Sequence, residues 1–373
     1  MQQIDTLIDE ARHNMTVCNA CRYCEGFCPV FPAMERRLTF SREDLNYLAN
    51  LCHNCSECLY ACQYAPPHEF AVNVPKSMAK LRASSYREYA WPRPLARLFD
   101  RNGLVSSIAL ALGMTLILLV AIALNGGLAA LLGTQHGGDF YALLPHNVMA
   151  GLFGGVALFV VLALAMGFVG FWRESGEGRG ALFDRRAWRD ALSEAASLRH
   201  LHGQGDVGCT YPDEYHSHWR RRFHHLTAYG FLLCFAATVT ATFYHYLFGW
   251  VAPYELASLP KLFGILGGLG LLVGPAGLCY LKLRRDPDTG DGRQLGMDMA
   301  FIALLWLTAL SGLVLMLFRE SSALGVLLVI HLGIVLALFV TLPYGKFVHG
   351  LYRLGALYRN ALERRRGGTA QDS

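Results

Sequence analysis

Two hydrophobic patterns meet near residue 100. Before that point, apolar residues recur at helical spacing among charged ones. Ile4, Leu7, Ile8 and Ala11 share one face of a short amphipathic helix. The stretch SREDLNYLANL at 41–51 reads as a second helix, with Ser41 as N-cap and Glu43 and Asp44 in its first turn. A third helix spans 75–89, opened by Pro75, and the Trp-Pro-Arg-Pro at 91–94 ends it as a stiff linker. From Leu104 onward, long apolar runs take over. Six of them reach about 20 residues, enough to cross a bilayer. They lie near 104–124, 148–171, 227–249, 261–281, 299–318 and 323–345. Only a short turn at 319–322 separates the last two, so they form an antiparallel pair. The loop at 172–226 carries an amphipathic stretch over 184–201, with Trp188, Leu192, Ala195 and Leu198 on one face. It is expected on the membrane surface or against the N-terminal module.

Composition agrees with a membrane protein that carries a soluble part. Hydrophobic residues make up 53% and charged residues only 16%, below the usual quarter for soluble domains. The net charge of +5 matters less than its placement. Of the 33 Lys and Arg, 31 lie before span one, between spans two and three, between four and five, or after six. The opposite loops hold only Lys261 and Arg319. The positive-inside rule then puts residues 1–100, the 172–226 loop and a 351–373 tail in the cytoplasm, with a multi-pass domain over 101–350 in the cell inner membrane. The N-terminus has no basic segment followed by an apolar core, so it does not read as a signal peptide. No basic, aromatic-interleaved surface points to nucleic acid, which leaves lipid as the expected large partner.

Candidate chemistry is concentrated in two cysteine runs. Cys18-x-x-Cys21-x-x-Cys24-x-x-x-Cys28-Pro29 is followed by Cys52-x-x-Cys55-x-x-Cys58-x-x-x-Cys62. Bacterial ferredoxins hold two [4Fe–4S] clusters with this spacing. Three thiolates of a run turn toward one cube, and the fourth, after a longer gap, reaches the other. The pattern therefore assigns Cys18, Cys21, Cys24 and Cys62 to one cluster and Cys52, Cys55, Cys58 and Cys28 to the second. Zinc sites use pairs of CxxC instead, and a disulfide framework suits short secreted chains. Gln63 stands where the pattern prefers Pro, which changes the exit from the loop. Cys209, Cys234 and Cys279 lack ligand spacing and read as isolated thiols. The expected fold is mainly α: a small ferredoxin-like, helical two-cluster domain fused to a six-span bundle.

Histidines within or beside spans are the second candidate set. His331 and His349 are 18 residues apart, five helical turns, and would share a face about 27 Å apart on one helix. His224 lies about 60° from alignment with His245, and His225 about 160°. Spans three and six run in opposite directions. The expected cross-helix pairs are thus His245 with His331, and His224 or His225 with His349, holding one or two b-type haems. Ordinary interfacial histidines and an aromatic belt around His245 are the plainer reading. His136 and His146 on the outer side read as solvated or structural. No CxxCH supports covalent haem. No dinucleotide, phosphate-loop or nucleophile-elbow motif appears, so no site for converting an organic substrate is seen. The glycines at 151–155 and 264–274 lie in spans, where they permit close helix packing.

The segments CNACRYCEGFCPVFPAMERR, CHNCSECLYACQYAPPHEFAVNVP, FHHLTAYGFLLCFAATVTATFYHY and LPYGKFVHGLYR closely resemble the tricarballylate (citrate) utilization protein B family. The resemblance spans the cysteine module and spans three and six. It implies an electron carrier that reoxidises the reduced FAD of a flavin-dependent tricarballylate dehydrogenase and passes electrons to quinone. It also implies b-type haem, without fixing the haem ligands. A different respiratory complex, heterodisulfide-reductase-like or nitrate-reductase-like, and an iron–sulfur redox sensor are the alternatives.

Overall fold

The computed structural model describes residues 2–132 and 138–371, so His136 lies outside the described residues. The N-terminal module is built from α1 (Gln2–Cys21), α2 (Val30–Glu35), α3 (Arg42–Leu51), α4 (Glu57–Tyr60) and α5 (Val74–Tyr89). Local chemistry sets their ends. Ser41 Oγ accepts from the Asp44 backbone N–H and Asp44 accepts from that of Ser41, a reciprocal capping box. Asn73 caps α5 one way only, its Oδ1 accepting from the Lys76 backbone N–H at 3.0 Å, with Pro75 in the first turn. Apolar faces then meet in a dry core of Ile8, Ala11 and Met15 from α1, Leu45 and Leu48 from α3, and Met78 and Leu81 from α5.

Six helices are long and apolar enough to cross a membrane. They are α6 (Asn102–Asn125), α7 (His146–Glu174), α9 (Trp219–Phe248), α10 (Leu259–Leu283), α11 (Leu295–Phe318) and α12 (Leu324–Thr341). Between α7 and α9 come α8 (Arg185–Ser197) and a two-stranded ribbon, β1 (Cys209–Thr210) paired antiparallel with β2 (His216–Ser217). Small residues let backbones approach. A Cβ at Gly230 of α9 would lie 2.9 Å from the Gly267 carbonyl of α10, and one at Gly113 of α6 would lie 2.8 Å from that of Gly333 on α12. The glycines at 151–155 on α7 do not pack this way. Space around Gly151, Gly154 and Gly155 is open to 4 Å.

The sixth apolar run is two elements. Pro343 has no N–H to continue the ladder, and α12 ends in a single turn at Leu342–Tyr344. A new helix, α13 (Val348–Gln371), starts after it. His331 and His349 therefore sit on different helices, and their expected alignment on one face does not hold. Residues 351–373 also differ from a free tail. Tyr352, Ala356, Leu357, Tyr358, Ala361 and Leu362 are buried in the module core. Arg37 and Arg359 both bond Glu363, tying α13 to the module, and Arg37 also bonds Asp44. Helix α8 packs on α13, with Trp188 stacked on Tyr358 at 4.3 Å, while Leu192 faces outward. On the bundle side, the buried Asp298 of α11 pairs with both Lys282 of α10 and Lys346.

Candidate metal centres

The cysteine runs fold around turns that follow helix ends. Cys18 and Cys21 are on the last turn of α1, three residues apart and hence on one face. Cys24 and Cys28 follow in the loop after Arg22, whose φ of 56° reverses the chain. Cys52 ends α3 and Cys58 lies on α4; between them Asn54 and Ser56 take left-handed conformations. All eight thiols are free of disulfides.

Tertiary contact sorts them into two sets. Cys18, Cys21, Cys24 and Cys62 line a cavity of about 290 Å³, together with Cys58 of the other run and with Val17, Phe31 and Val74 in its wall. Burial, then repulsion by Cys24, Cys62 and Cys21, pushes the Cys18 thiol up to about 12. Cys24 rises to about 12, again through burial first and then Cys62 and Cys21. Cys28 belongs with the other run. Its thiol is raised by burial and then by Cys52, and Cys58 is raised by burial and then by Cys28 and Cys52. Crowded thiols that resist ionising are a donor set a metal cluster neutralises, because coordination removes the protons and supplies the countercharge. Among the described residues no three Cys, His, Asp or Glu side chains converge on a single ion position. An iron–sulfur cube asks for another geometry, since each of its four irons takes one thiolate.

The second set lies against side chains that spacing alone does not identify. Arg82 donates to the carbonyls of Ala49 (3.1 Å) and Cys52 (2.7 Å). Arg353 of α13 donates to the same Cys52 carbonyl at 2.7 Å. Arg220 at the start of α9 donates to the carbonyls of His53 (2.9 Å) and Asn54 (2.8 Å), and Arg285 donates to Asn54 Oδ1 at 2.9 Å. Cys209, read from sequence as isolated, is buried with its thiol in hydrogen-bond reach of Cys55. Thr210 donates to the Cys55 carbonyl at 3.2 Å. In sequence, Arg220 belongs to a basic run that reads as a topology anchor.

Of the histidines, one expected pair meets. The rings of His224 and His349 are 6.1 Å apart, centroid to centroid, at 77°. Two imidazoles bonded to opposite sides of one metal at about 2 Å each put their centroids about 6 Å apart, so this pair fits a bis-histidine haem. His349 Nδ1 lies 2.5 Å from the Lys346 carbonyl, which fixes its tautomer with the proton on Nδ1 and leaves Nε2 as the acceptor nitrogen. His225 turns away toward Tyr229 and the backbone of Ala196 and Ser197. The outer pair does not form. His245 stacks on His146 at 3.8 Å and 14°, and its other ring contacts are Tyr141 and Tyr246. Imidazoles in van der Waals contact leave no room for a porphyrin between them. His331 instead bonds Ser311 of α11 at 3.0 Å. The correction has a physical cause: α9 packs along α10, so its outer end is not opposite α12.

Residues 97–370 match the family described as Citrate utilization protein B, and residues 11–88 match the Citrate utilization protein B Fer4-like domain. The Citrate utilization protein B of Escherichia coli is 50% identical over 381 residues, covering 99% of this chain and 99% of that protein. No solved structure matches. The Fer4-like match contains both cysteine runs, in keeping with an iron–sulfur electron-transfer role.

Proposed function

The chain belongs to the citrate utilization protein B family, and from that premise we propose that it is a membrane electron conduit between a flavoprotein dehydrogenase and quinone. The donor is the reduced FAD of a separate dehydrogenase acting on tricarballylate or a related polycarboxylate. Cys18, Cys21, Cys24 and Cys62 hold one [4Fe–4S] cluster; Cys28, Cys52, Cys55 and Cys58 hold the other. His224 and His349 hold one b-type haem. The module faces the cytoplasm of an inner-membrane protein, a reading supported by the 31 of 33 Lys and Arg at that end. When bound, these groups supply one-electron carriers. A reduced flavin gives up two electrons and two protons to become oxidised, and a quinone takes two electrons and two protons to become quinol, so the sum balances.

One observation carries the reading. Arg220 and His224 are four residues apart on α9, and His349 and Arg353 four apart on α13. On each helix the histidine faces the other histidine, while the arginine one turn away grips the 52–55 loop. The same two helices thus position both the histidine pair and the second cysteine set. The protein's part is to fix these sites close together and keep water from the inner one. The test is optical and EPR spectroscopy of the purified protein, with reduced dehydrogenase as donor and a quinone analogue as acceptor. Iron–sulfur signals and a b-type α-band, both bleached by the quinone, are expected. Full iron loading without haem absorbance would remove the haem from the proposal.

A further inference from the structure

Four guanidinium groups close on the 52–55 loop: Arg82, Arg220, Arg285 and Arg353. Among the described residues, none of the four forms an ion pair with a carboxylate. They spend their donors on the carbonyls of Ala49, Cys52, His53 and Asn54, on the Asn54 side chain and, for Arg285, on Thr289, and two of them cover the ring of Tyr211, Arg220 at 4.5 Å and Arg285 at 5.6 Å. Their charge is left for whatever the loop surrounds. Four guanidiniums kept together in a buried place oppose one another, and burial with Arg82 pulls Arg353 down to about 10. Such a cluster is stabilised by an anion among them. Glu57, near Cys24, Cys28 and Cys209, and Asp298, near Arg285, are the acidic groups at this place.

Among the described residues, one arginine donates within the first run, Arg22 to the Asn19 carbonyl at 3.0 Å. Cys18, Cys21, Cys24 and Cys62 are all partly exposed, whereas in the second set Cys52 and Cys55 are buried, at 7% and 8% exposed, and Cys28 and Cys58 are partly exposed. Net charge, hydrogen bonds to sulfur and exposure set the potential of an iron–sulfur cluster. Burial alone disfavours the extra electron at the second set. The same low dielectric strengthens each arginine's attraction for that electron. Cys209 lies in hydrogen-bond reach of Cys55, and its thiol would donate to that sulfur once Cys55 is a thiolate ligand.

We infer that Arg82, Arg220, Arg285 and Arg353, with Cys209, make the site of Cys28, Cys52, Cys55 and Cys58 the more oxidising of the two, so that electrons arrive at the exposed set and collect at the arginine-ringed set. The inference rests on the reading that both sets hold [4Fe–4S] clusters. With both clusters bound, transfer between them would move one electron from the first set to the second, and the arginines would offset the added negative charge there. The flavin hydroquinone of the partner is the reductant, and quinone, reached through the His224–His349 site, is the oxidant.

Redox titration of the full-length protein, followed by EPR, tests this. Two signals with separate midpoints are expected, and Cys58→Ser should abolish the higher one. Arg220→Gln and Arg285→Gln should each move the higher midpoint downward and leave the lower one in place, and Arg285→Lys should restore most of the shift. Cys209→Ala should move the same midpoint in the same direction. Arg285, partly exposed, serves if Arg220→Gln loses iron. An unmoved higher midpoint in the iron-loaded variants, equal shifts of both signals, or loss of the lower signal in Cys58→Ser would overturn the inference while leaving the two-cluster reading intact. A wild-type protein with fewer than two clusters would overturn that reading first.

Discussion

At the scale of the residue, the cysteines and the basic side chains around them differ in how openly they read. Cysteine spacing is covalent information, and a run of three thiols with a trailing fourth has few other uses. Cys62 lies in the cavity of Cys18, Cys21 and Cys24, and after burial it is Cys52 that most raises the Cys28 thiol. Cys28→Ser should therefore damage the cluster of Cys52, Cys55 and Cys58. EPR and iron analysis check this: loss of the Cys18 cluster instead would refute the crossed grouping. The histidines were legible as a set but not as pairs. His349→Ala should abolish b-type absorbance with iron content kept, whereas His331→Ala should retain it, because His331 is held by Ser311 and has no histidine opposite. Equal haem loss in both variants would contradict the inner pairing.

At the scale of the element, α13 departs furthest from expectation. Its sequence, VHGLYRLGALYRNALERRRGGTAQ, has too many charges for a span and looks like a tail. Its apolar residues nonetheless recur at helical spacing, and Tyr352, Ala356 and Tyr358 fill the module core. Glu363 locks it by meeting Arg37 and Arg359. Glu363→Ala leaves two partly buried guanidiniums short of a partner and should cost about 2–3 kcal/mol. Hydrogen exchange should show α13 amides opening first; protection equal to wild type would show the pairs are dispensable. Asp44 belongs to the same network. Burial raises its carboxyl, but the Arg37 bond and charge outweigh this and hold it below the usual range. A depressed carboxylate stabilises the fold above about pH 4, its unfolded value, and that contribution fades as pH falls through the folded one. Melting temperature in detergent should drop on acidification below pH ~4, and Asp44→Asn should flatten that slope.

At the scale of the whole molecule, six spans and a cysteine module at one end make a polarised object. With an even number of spans, α1 and α13 lie at the same end and pack into one core. Alkaline phosphatase fused after residue 371 should be inactive and a fluorescent protein fused there bright; the reverse would invert the proposed orientation. A cavity of about 1060 Å³ opens where α5 and residues 93–100 meet α7 and α11, at the seam of module and bundle. Arg87–Asp100 and Arg42–Glu88 pairs cross its wall, so much of its charge is already matched.

The sequence alone determined what depends on neighbours along the chain. Apolar run length marks a span, thiol spacing marks a cluster loop, and Ser41 with Asp44 marks a helix start, because each is decided within a few turns of backbone. Only the tertiary structure decided which histidine faces which, that α13 is core, and that four arginines surround one cysteine set. Those outcomes join residues as far apart as Cys52 and Arg353, or Arg37 and Glu363. Packing geometry at Gly230 and Gly267 and the break at Pro343 set them, and neither leaves a period along the chain.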